Sequence, residues 1–451
     1  MKKVERNMLQ GPLAGNILLF TVPVILTSYL QLLFNAADLV VVGRFCGSVS
    51  VAAVGVTGAL TNLIVNLFMG LSVGAGVTVA HAIGSGDSRM VSRTVHTALL
   101  TALVGGVFLT VIGITFSPTF LRWMDTPENV LPLSSIYMRI YFGGIVFTLV
   151  YNFCTSILRA AGDTQSPLFI LLCAGVINVI LNVFFVVVFH MNVAGVALAT
   201  VISQALSAVA VTVVLMRRKD DIRFCPSKMR IYGPQLARII RIGLPAGIQG
   251  SMFSISNVII QSSMNSFGDV LVSGNAAVSN LEGFCYATVN GFHQAAVNFI
   301  GQNMGARQYD RVKRVFRLCM LYAGAAGLLV GGTMYLFRQT MLGIYITDSV
   351  EATQFGMVRM AYTTLPYFIY GFLDAAAGSL RGLGASTVSM ILSVLGICGI
   401  RLLWIGTVFQ IPAFHTPTCL YSSYPISWIA TAIAELLAFS ILYRKVQHRI
   451  E

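Results

Sequence analysis

Four carboxylates interrupt stretches of this sequence that are otherwise apolar enough to cross a bilayer: Asp38, Glu282, Asp374 and Glu435. An acid at the centre of a membrane helix costs about 2.5–3.5 kcal/mol on insertion scales, so each needs a partner or a purpose. Desolvation favours the neutral, protonated acid, whereas an ionised one attracts a cation. A group able to trade between those states suits cation-coupled exchange, because a proton or sodium ion and a cationic substrate can compete for one acid. Asp38 stands in PVILTSYLQLLFNAADLVVVGR, between Pro23 and Arg44. Two local alternatives stay open for it: pairing with Arg44, six residues on and poorly spaced for helical contact, or hydration near the aqueous end of its helix. Glu282 follows about ten residues of its run, roughly 15 Å at helical rise, and is the deepest of the four. Asp374 precedes Arg381 by seven residues, about 10 Å, and can hydrate in part. Glu435, in TAIAELLAF, reads as a structural acid rather than a functional one. Arg359 and Arg401 also fall inside apolar runs and could simply neutralise a buried acid.

A second polar group accompanies the acids. Asn178 and Asn182 are four residues apart, hence on one helical face, and Thr200 follows in the next run. They serve either as glue between helices or as a hydrophilic patch beside Asp38. Pro23 and Pro245 stand near the starts of their runs, where they either open a helix or remove a backbone hydrogen bond and permit a bend. His81 and His293 lie in or at the ends of runs, and packing suits them better than proton relay. The eight cysteines are scattered, with no CxxC pair and no His/Cys cluster at metal-ligand spacing, which argues against structural disulfides and a bound metal. No nucleophile–base pair or phosphate loop points to an enzyme, and no cofactor is expected beyond a coupling ion.

The elements that must position these residues are set by composition. The chain is 56% hydrophobic and 10% charged, with a mean hydropathy of +0.80, which excludes a soluble domain of this size. Apolar runs of about 20 residues recur along the chain, each long enough to span the hydrocarbon as a helix. Twelve start near Gly15, Val49, Thr94, Leu131, Pro167, Val193, Pro234, Val270, Val312, Thr353, Val388 and Tyr421. The first is too long for a signal-peptide core and is expected to be retained. The net charge of +13 is topological rather than a nucleic-acid footprint. With both termini placed in the cytoplasm, 23 of the 29 Lys and Arg fall on the inner side, among them Lys2, Lys3, Arg6 and Arg449.

The runs repeat. LFMGLSVGAGVTVAHAIGSGD sets against ATVNGFHQAAVNFIGQNMGAR with Gly70 over Gly291, and ILRAAGDT sets against SLRGLGAS with Arg159 over Arg381. Pro23 and Pro245 share the second offset, 222 residues. Six spans per half makes the repeats parallel, and such a duplication implies a site near the midplane between the halves and alternating access. We expect an N-lobe at 1–216, a charged cytoplasmic linker at 217–241 and a C-lobe at 242–451. The glycines of GLSVGAG and GAAGLLVGG are expected at helix crossings.

In these residues the chain resembles the multidrug and toxic compound extrusion (MATE) family, on the side of its DinF- and MepA-like bacterial members. The resemblance rests on NAADLVVVGR around Asp38, GLSVGAG, ILRAAGDT, NVILN followed by GVALATVISQ, FIGQNMGA, SLRGLG and IRLLWIGTVFQ. It implies an all-α polytopic membrane protein of twelve transmembrane helices in two parallel six-helix repeats, exporting amphipathic cationic compounds in exchange for H⁺ or Na⁺. It further implies that Asp38, Asn178 and Thr200 belong to a cation-coupling site and that Pro23 is a bending point, with Pro245 its repeat partner. Where the family often carries an aspartate this chain has Asn182, and the glutamate some members carry in span 7 has no counterpart in GLPAGIQGSMFSIS. Asp374 lies about one turn from the related aspartate of those members. One N-lobe carboxylate favours H⁺ over Na⁺, since a compact metal site wants several hard oxygens and more than one charge.

The expected protein is therefore a multidrug antiporter of the bacterial inner membrane, a monomer in the lipid bilayer, with small-molecule substrates and no nucleic-acid partner. Asp38 is its principal coupling acid, and Glu282 and Asp374 are its C-lobe substrate or coupling acids. Two rivals are a lipid-linked oligosaccharide flippase of the same superfamily, which would need a basic cavity for a pyrophosphate, and a non-transporting membrane receptor or scaffold, which would need no titratable acid in the membrane.

Overall fold

The computed structural model describes residues 8–124, 126–346 and 349–448. Lys2, Lys3, Arg6 and Arg449 of the expected inner-side charges lie outside them, as do Glu5, Asp125, Asp348 and Glu451. Among the described residues the chain is helical, with no strand. The long helices are α1 (Leu13–Phe45), α2 (Ser48–Ser85), α3 (Ser88–Trp123), α6 (Gln165–Val183), α7 (Asn192–Met216), α8 (Gly233–Asn265), α9 (Asp269–Gly305), α10 (Tyr309–Leu336) and α16 (Pro417–His448). The shorter ones are α4 (Leu131–Gly143), α5 (Ile145–Ala160), α11 (Arg338–Gly343), α12 (Val350–Tyr362), α13 (Tyr367–Gly382), α14 (Ser386–Ser393) and α15 (Ile400–Gly406).

Among the described residues, eight helical stretches are long and apolar enough to cross a membrane, and α4 with α5 makes a ninth that is bent by 47°. Three further stretches, α8, α9 and α12 with α13, complete the twelve expected runs. They carry Gln249, Glu282, His293, Arg359 and Arg381, and these polar groups account for their lower hydropathy. The bend between α4 and α5 falls at Gly144. The break between α12 and α13 ends at Pro366, 222 residues later, so the repeat interrupts its fourth span in both copies with a residue that weakens a helix.

The chain divides into two compact units that do not follow the expected boundaries. One runs from Leu26 to Gly247, and the other comprises Met8–Ile25 and the chain from Ile248 on. The start of α1 thus belongs with the second unit and the start of α8 with the first. Pro23 and Pro245 each stand two residues before the crossing. The charged stretch at 217–241 is no free linker, for it folds onto the first unit. Ile222 and Phe224 are buried in that unit's core with Leu149, Phe153 and Leu215, and the buried Arg218 bridges Asp163 at 3.4 Å and also Asp220.

Within the first unit, α8 lies against α2 with backbone touching backbone. A Cβ on Gly70 would collide with the backbone of Gly247 and Gly243, and one on Gly247 would collide with Leu67. Within the second unit, Gly291 of α9 packs on Ile25 and Thr21 of α1 in the corresponding register. Gly327 of α10 likewise admits the backbone of Phe368. The second core gathers Ile17, Phe20, Phe299, Ala323 and Phe439, with Phe20 and Phe299 edge to face at 5.5 Å. Apolar residues that face outward, such as Val104, Val107 and Val111 along α3, are at home in lipid.

The close crossing at Gly70 predicts that Gly70→Leu, which overpacks a backbone contact at a cost of about 1–3 kcal/mol or more, lowers the thermal unfolding midpoint of the detergent-purified protein. Gly15→Leu, at a glycine with nothing within 4 Å, leaves that midpoint where it was.

Candidate functional site

In the first unit, α1 carries Asp38 and the last turns of α6 carry Asn178 and Asn182. The helical spacing places both amides on one face, and both are buried, Asn182 completely. Asn182 Nδ2 donates to Asp38 Oδ1 and to Asn178 Oδ1 at 3.3 Å. The structure thereby joins three of the four sequence candidates, with Asn182 as the bridge. Asp38 takes its bond from this neutral donor rather than from Arg44, which is exposed near the end of α1. Thr200 stays within its own helix, its hydroxyl donating to the Val196 carbonyl at 3.0 Å. One turn beyond Asp38, Val42 packs with Val41, Val186 and Val196, and Tyr137 of α4 closes on this cluster.

The backbone contributes as well. Directly after Asn182 and Val183, α6 changes to a π turn over Phe184–Val188, the kind of insertion that re-aims side chains and recurs at functional sites. The second unit has a π turn at Val394–Gly399, immediately after Ser393 of α14. Each π turn follows within two residues of a polar side chain bonded to a carboxylate, although the two are not in equivalent register.

That second carboxylate is Glu435 of α16, 0% exposed, whose Oε1 accepts from Ser393 Oγ at 2.7 Å. Its Oε2 is buried without a hydrogen-bond partner. Glu435, read from sequence as a structural acid, makes no ion pair among the described residues; its hydrogen-bond partner is the Ser393 hydroxyl. Glu282, read as the deepest acid and as a substrate or coupling acid, is held in an ion pair: Arg359 Nη2 lies 2.8 Å from Glu282 Oε2 while Arg359 Nη1 donates to the Asn275 carbonyl at 3.0 Å. Arg401 pairs with neither acid. Its guanidinium sits 4.0 Å from the Tyr424 ring centre and its Nε donates to Ser427 Oγ at 3.0 Å.

Asp374 belongs to a chain of polar groups through α13, α9 and α8. His293 Nδ1 lies 3.0 Å from Asp374 Oδ1 and 2.8 Å from the Asp374 carbonyl. Arg381 Nη1 approaches His293 Nε2 at 3.3 Å, and Arg381 Nη2 donates to Gln249 Oε1 at 2.7 Å. Arginine can only donate, so Nε2 accepts and the imidazole proton sits on Nδ1, facing Asp374. His293 thus stands between the carboxylate of Asp374 and the guanidinium of Arg381. Among the described residues there is no group of three or more His, Cys, Asp or Glu that could hold a metal ion.

Sequence reasoning missed Tyr137, Ser393 and Gln249 as partners. For Tyr137 a signal existed: it precedes Arg359 by 222 residues, so the repeat places a phenol near one unit's acid where the other unit has a guanidinium. Ser393 and Gln249 carried none, since their acid or cation lies more than forty residues away in the chain.

The MatE family model matches residues 23–184 and again 245–405, two matches whose starts are 222 residues apart, the offset of Pro23 and Pro245 in the internal repeat. The probable multidrug resistance protein YoeA of Bacillus subtilis (strain 168) is 28% identical over 85% of this chain and 84% of its own length. The multidrug export protein MepA of Staphylococcus aureus (strain bovine RF122 / ET3-1) is 20% identical over 96% of this chain and 94% of its own. Among solved structures, a MATE protein crystallised in complex with MaL6 superposes with a TM-score of 0.91 at 20% identity, covering 98% of both chains.

The Glu282–Arg359 pair makes its own prediction. Arg359 is 4% exposed, so Glu282→Gln strands a buried cation at a cost of about 3–5 kcal/mol. The single variant should unfold at a clearly lower temperature than wild type, and Glu282→Gln/Arg359→Gln should recover most of the loss. Equal midpoints for the single variant and wild type would show that the pair is not coupled.

Proposed function

The chain belongs to the MatE family, and from that premise we propose that it is a secondary active multidrug exporter that releases amphipathic organic cations in exchange for H⁺ by alternating access. The observation that carries this reading is the setting of Asp38, an acid in a membrane helix whose hydrogen-bond partner is the neutral amide of Asn182. Such a group is tolerated when protonated, because the neutral acid needs no counter-charge, and it draws a cation when it ionises. A proton and an organic cation therefore compete for it, directly or through the conformation of α1, and that competition is the coupling. Asn182 serves both states: its amino group donates to the ionised acid, and with the amide turned over its oxygen accepts from the protonated one.

The remaining acids divide by their partners. Glu282, tied to Arg359, and Asp374, linked through His293 to Arg381, are already compensated, so their expected share in holding a cation moves to Glu435, the acid of the second unit held by a hydroxyl. Protonation at Asp38 is read out by bending at Pro23, and Pro245 is the equivalent joint of the second repeat. H⁺ is favoured over Na⁺ because the first-unit site offers one carboxylate and two amides, a thin set for a compact metal ion. The distribution of Lys and Arg supports a bacterial inner-membrane protein with both termini in the cytoplasm.

Dye efflux from vesicles under separately imposed pH and sodium gradients tests this reading. Wild type should respond to the pH gradient, Asp38→Asn should fall to the background of vesicles lacking the protein, and Glu435→Gln should fall in between. Full activity of Asp38→Asn would remove the mechanism, and indifference of wild type to both gradients would remove the antiporter.

A further inference from the structure

At the start of α3, the stretch between Met216 and α8 folds back to enclose a basic hollow that the acids of the spans do not touch. His96, buried, takes the Cys225 backbone N–H on Nε2 at 3.1 Å, and its Nδ1 lies 2.6 Å from the Ser92 carbonyl. Its neighbour Thr97, also buried, accepts the Tyr232 N–H at 3.1 Å. Two consecutive buried side chains thus spend their polar atoms on fixing the backbone of 225–232 against α3. Pinned there, the segment presents Ser227, Lys228 and Arg230 opposite Arg93, around a cavity of about 290 Å³. The guanidiniums of Arg93 and Arg230 stand 5.2 and 5.9 Å from the centre of one ring, that of Tyr232. The ring attracts each guanidinium, but the two like charges repel one another, a repulsion that an anion between them would relieve, and no described residue lining this cavity is acidic. Nearby carboxylates are committed: Asp87 caps α3 by accepting the Met90 N–H, and Asp221 accepts from Ser88 Oγ at 2.7 Å.

The hollow has an apolar neighbour. Along the extended segment 230–232 the side chains alternate, so that Arg230 and Tyr232 line the basic cavity while Ile231 lines a second one of about 300 Å³. This second cavity is bounded by Phe68, Val104, Gly105, Phe108 and Leu236. It lies two to four turns further along α3, beside the outward stripe of Val104, Val107 and Val111, and from Arg93 to Val104 the helix rises about 16 Å. A charged head beside water and an apolar crevice deeper along the same span is the profile of a phospholipid. We propose that this is a binding site for one anionic phospholipid, its phosphate held by Arg93, Lys228 and Arg230 and an acyl chain lying in the crevice under Ile231. The lipid ties the segment before α8 to the bilayer. The proposal rests on α3 being a membrane span and not on the transported substrate.

The test measures binding to the full-length protein in non-ionic detergent, by native mass spectrometry and thermal shift. The probes are phosphatidylglycerol, phosphatidylcholine of the same chains, and inorganic phosphate. Phosphatidylglycerol should bind and raise the unfolding midpoint, phosphatidylcholine should do so far more weakly, and inorganic phosphate should neither protect nor displace the lipid. Arg93→Gln/Lys228→Gln/Arg230→Gln should weaken phosphatidylglycerol about a hundredfold, at roughly 1 kcal/mol per basic group near a lipid surface. Arg93→Lys/Arg230→Lys should keep it, and Val104→Trp, which fills the crevice, should weaken it with the charges intact. The proposal is overturned if phosphate alone protects as well as the lipid, which makes the site one for a free anion, or if both lipids bind alike. It is also overturned if the triple variant, or Val104→Trp should the triple variant not fold, binds phosphatidylglycerol as wild type does.

Discussion

Hydrocarbon cannot solvate a charge, and the fold is constrained by having to answer that fact four times with what the chain itself provides. The answers differ in kind. Glu282 is answered by a full cation, Arg359, and Asp374 by a cation at one remove, Arg381 acting through His293. Asp38 and Glu435 are answered by neutral donors, Asn182 and Ser393. An acid locked to an arginine loses a great deal on taking up a proton, because the arginine is then left bare. An acid locked to an amide or a hydroxyl loses little. The second kind is where we propose that a proton comes and goes, and those two acids are also the ones whose partners sit at the mouth of a π turn.

The same economy shapes the architecture. Duplication supplies two copies of a six-span unit, and the copies have diverged at the positions of the four membrane acids while keeping glycines, a proline and one arginine. Gly70 and Gly291, Arg159 and Arg381, and Pro23 and Pro245 are shared, whereas Tyr137 answers to Arg359 and Asn152 to Asp374. The start of each repeat's first helix belongs with the other repeat's unit, and each crossing comes two residues after a proline. A helix that lacks a backbone hydrogen bond next to such a crossing is weakest where the two units share it.

Much of this was legible in the sequence. Hydropathy gave the spans, the glycine and arginine offsets gave the duplication, and the spacing of four between Asn178 and Asn182 gave a shared face on one helix. The limit came where a contact joins residues far apart in the chain. Periodicity places a side chain on a face but does not say which helix that face meets, so Arg359 and Arg401 read alike as neutralisers of some buried acid until packing sent one to Glu282 and the other to Tyr424. The partner of Glu435 was hidden for the same reason, since nothing near it in sequence marks Ser393. The stretch at 217–241 reads as a charged cytoplasmic linker, and its charge gives no sign that Ile222 and Phe224 turn inward or that the buried Arg218 is paired with carboxylates.

The central claim is that Asp38 gives up its proton when a cationic substrate binds. Proton release on binding measures this directly, with purified protein in a weakly buffered solution, a pH-sensitive dye and a lipophilic organic cation as ligand. The account predicts release from wild type on saturation and its loss in Asp38→Asn, with the Glu282→Gln/Arg359→Gln pair behaving as wild type. Undiminished release from Asp38→Asn, at matched occupancy of the ligand, would contradict it.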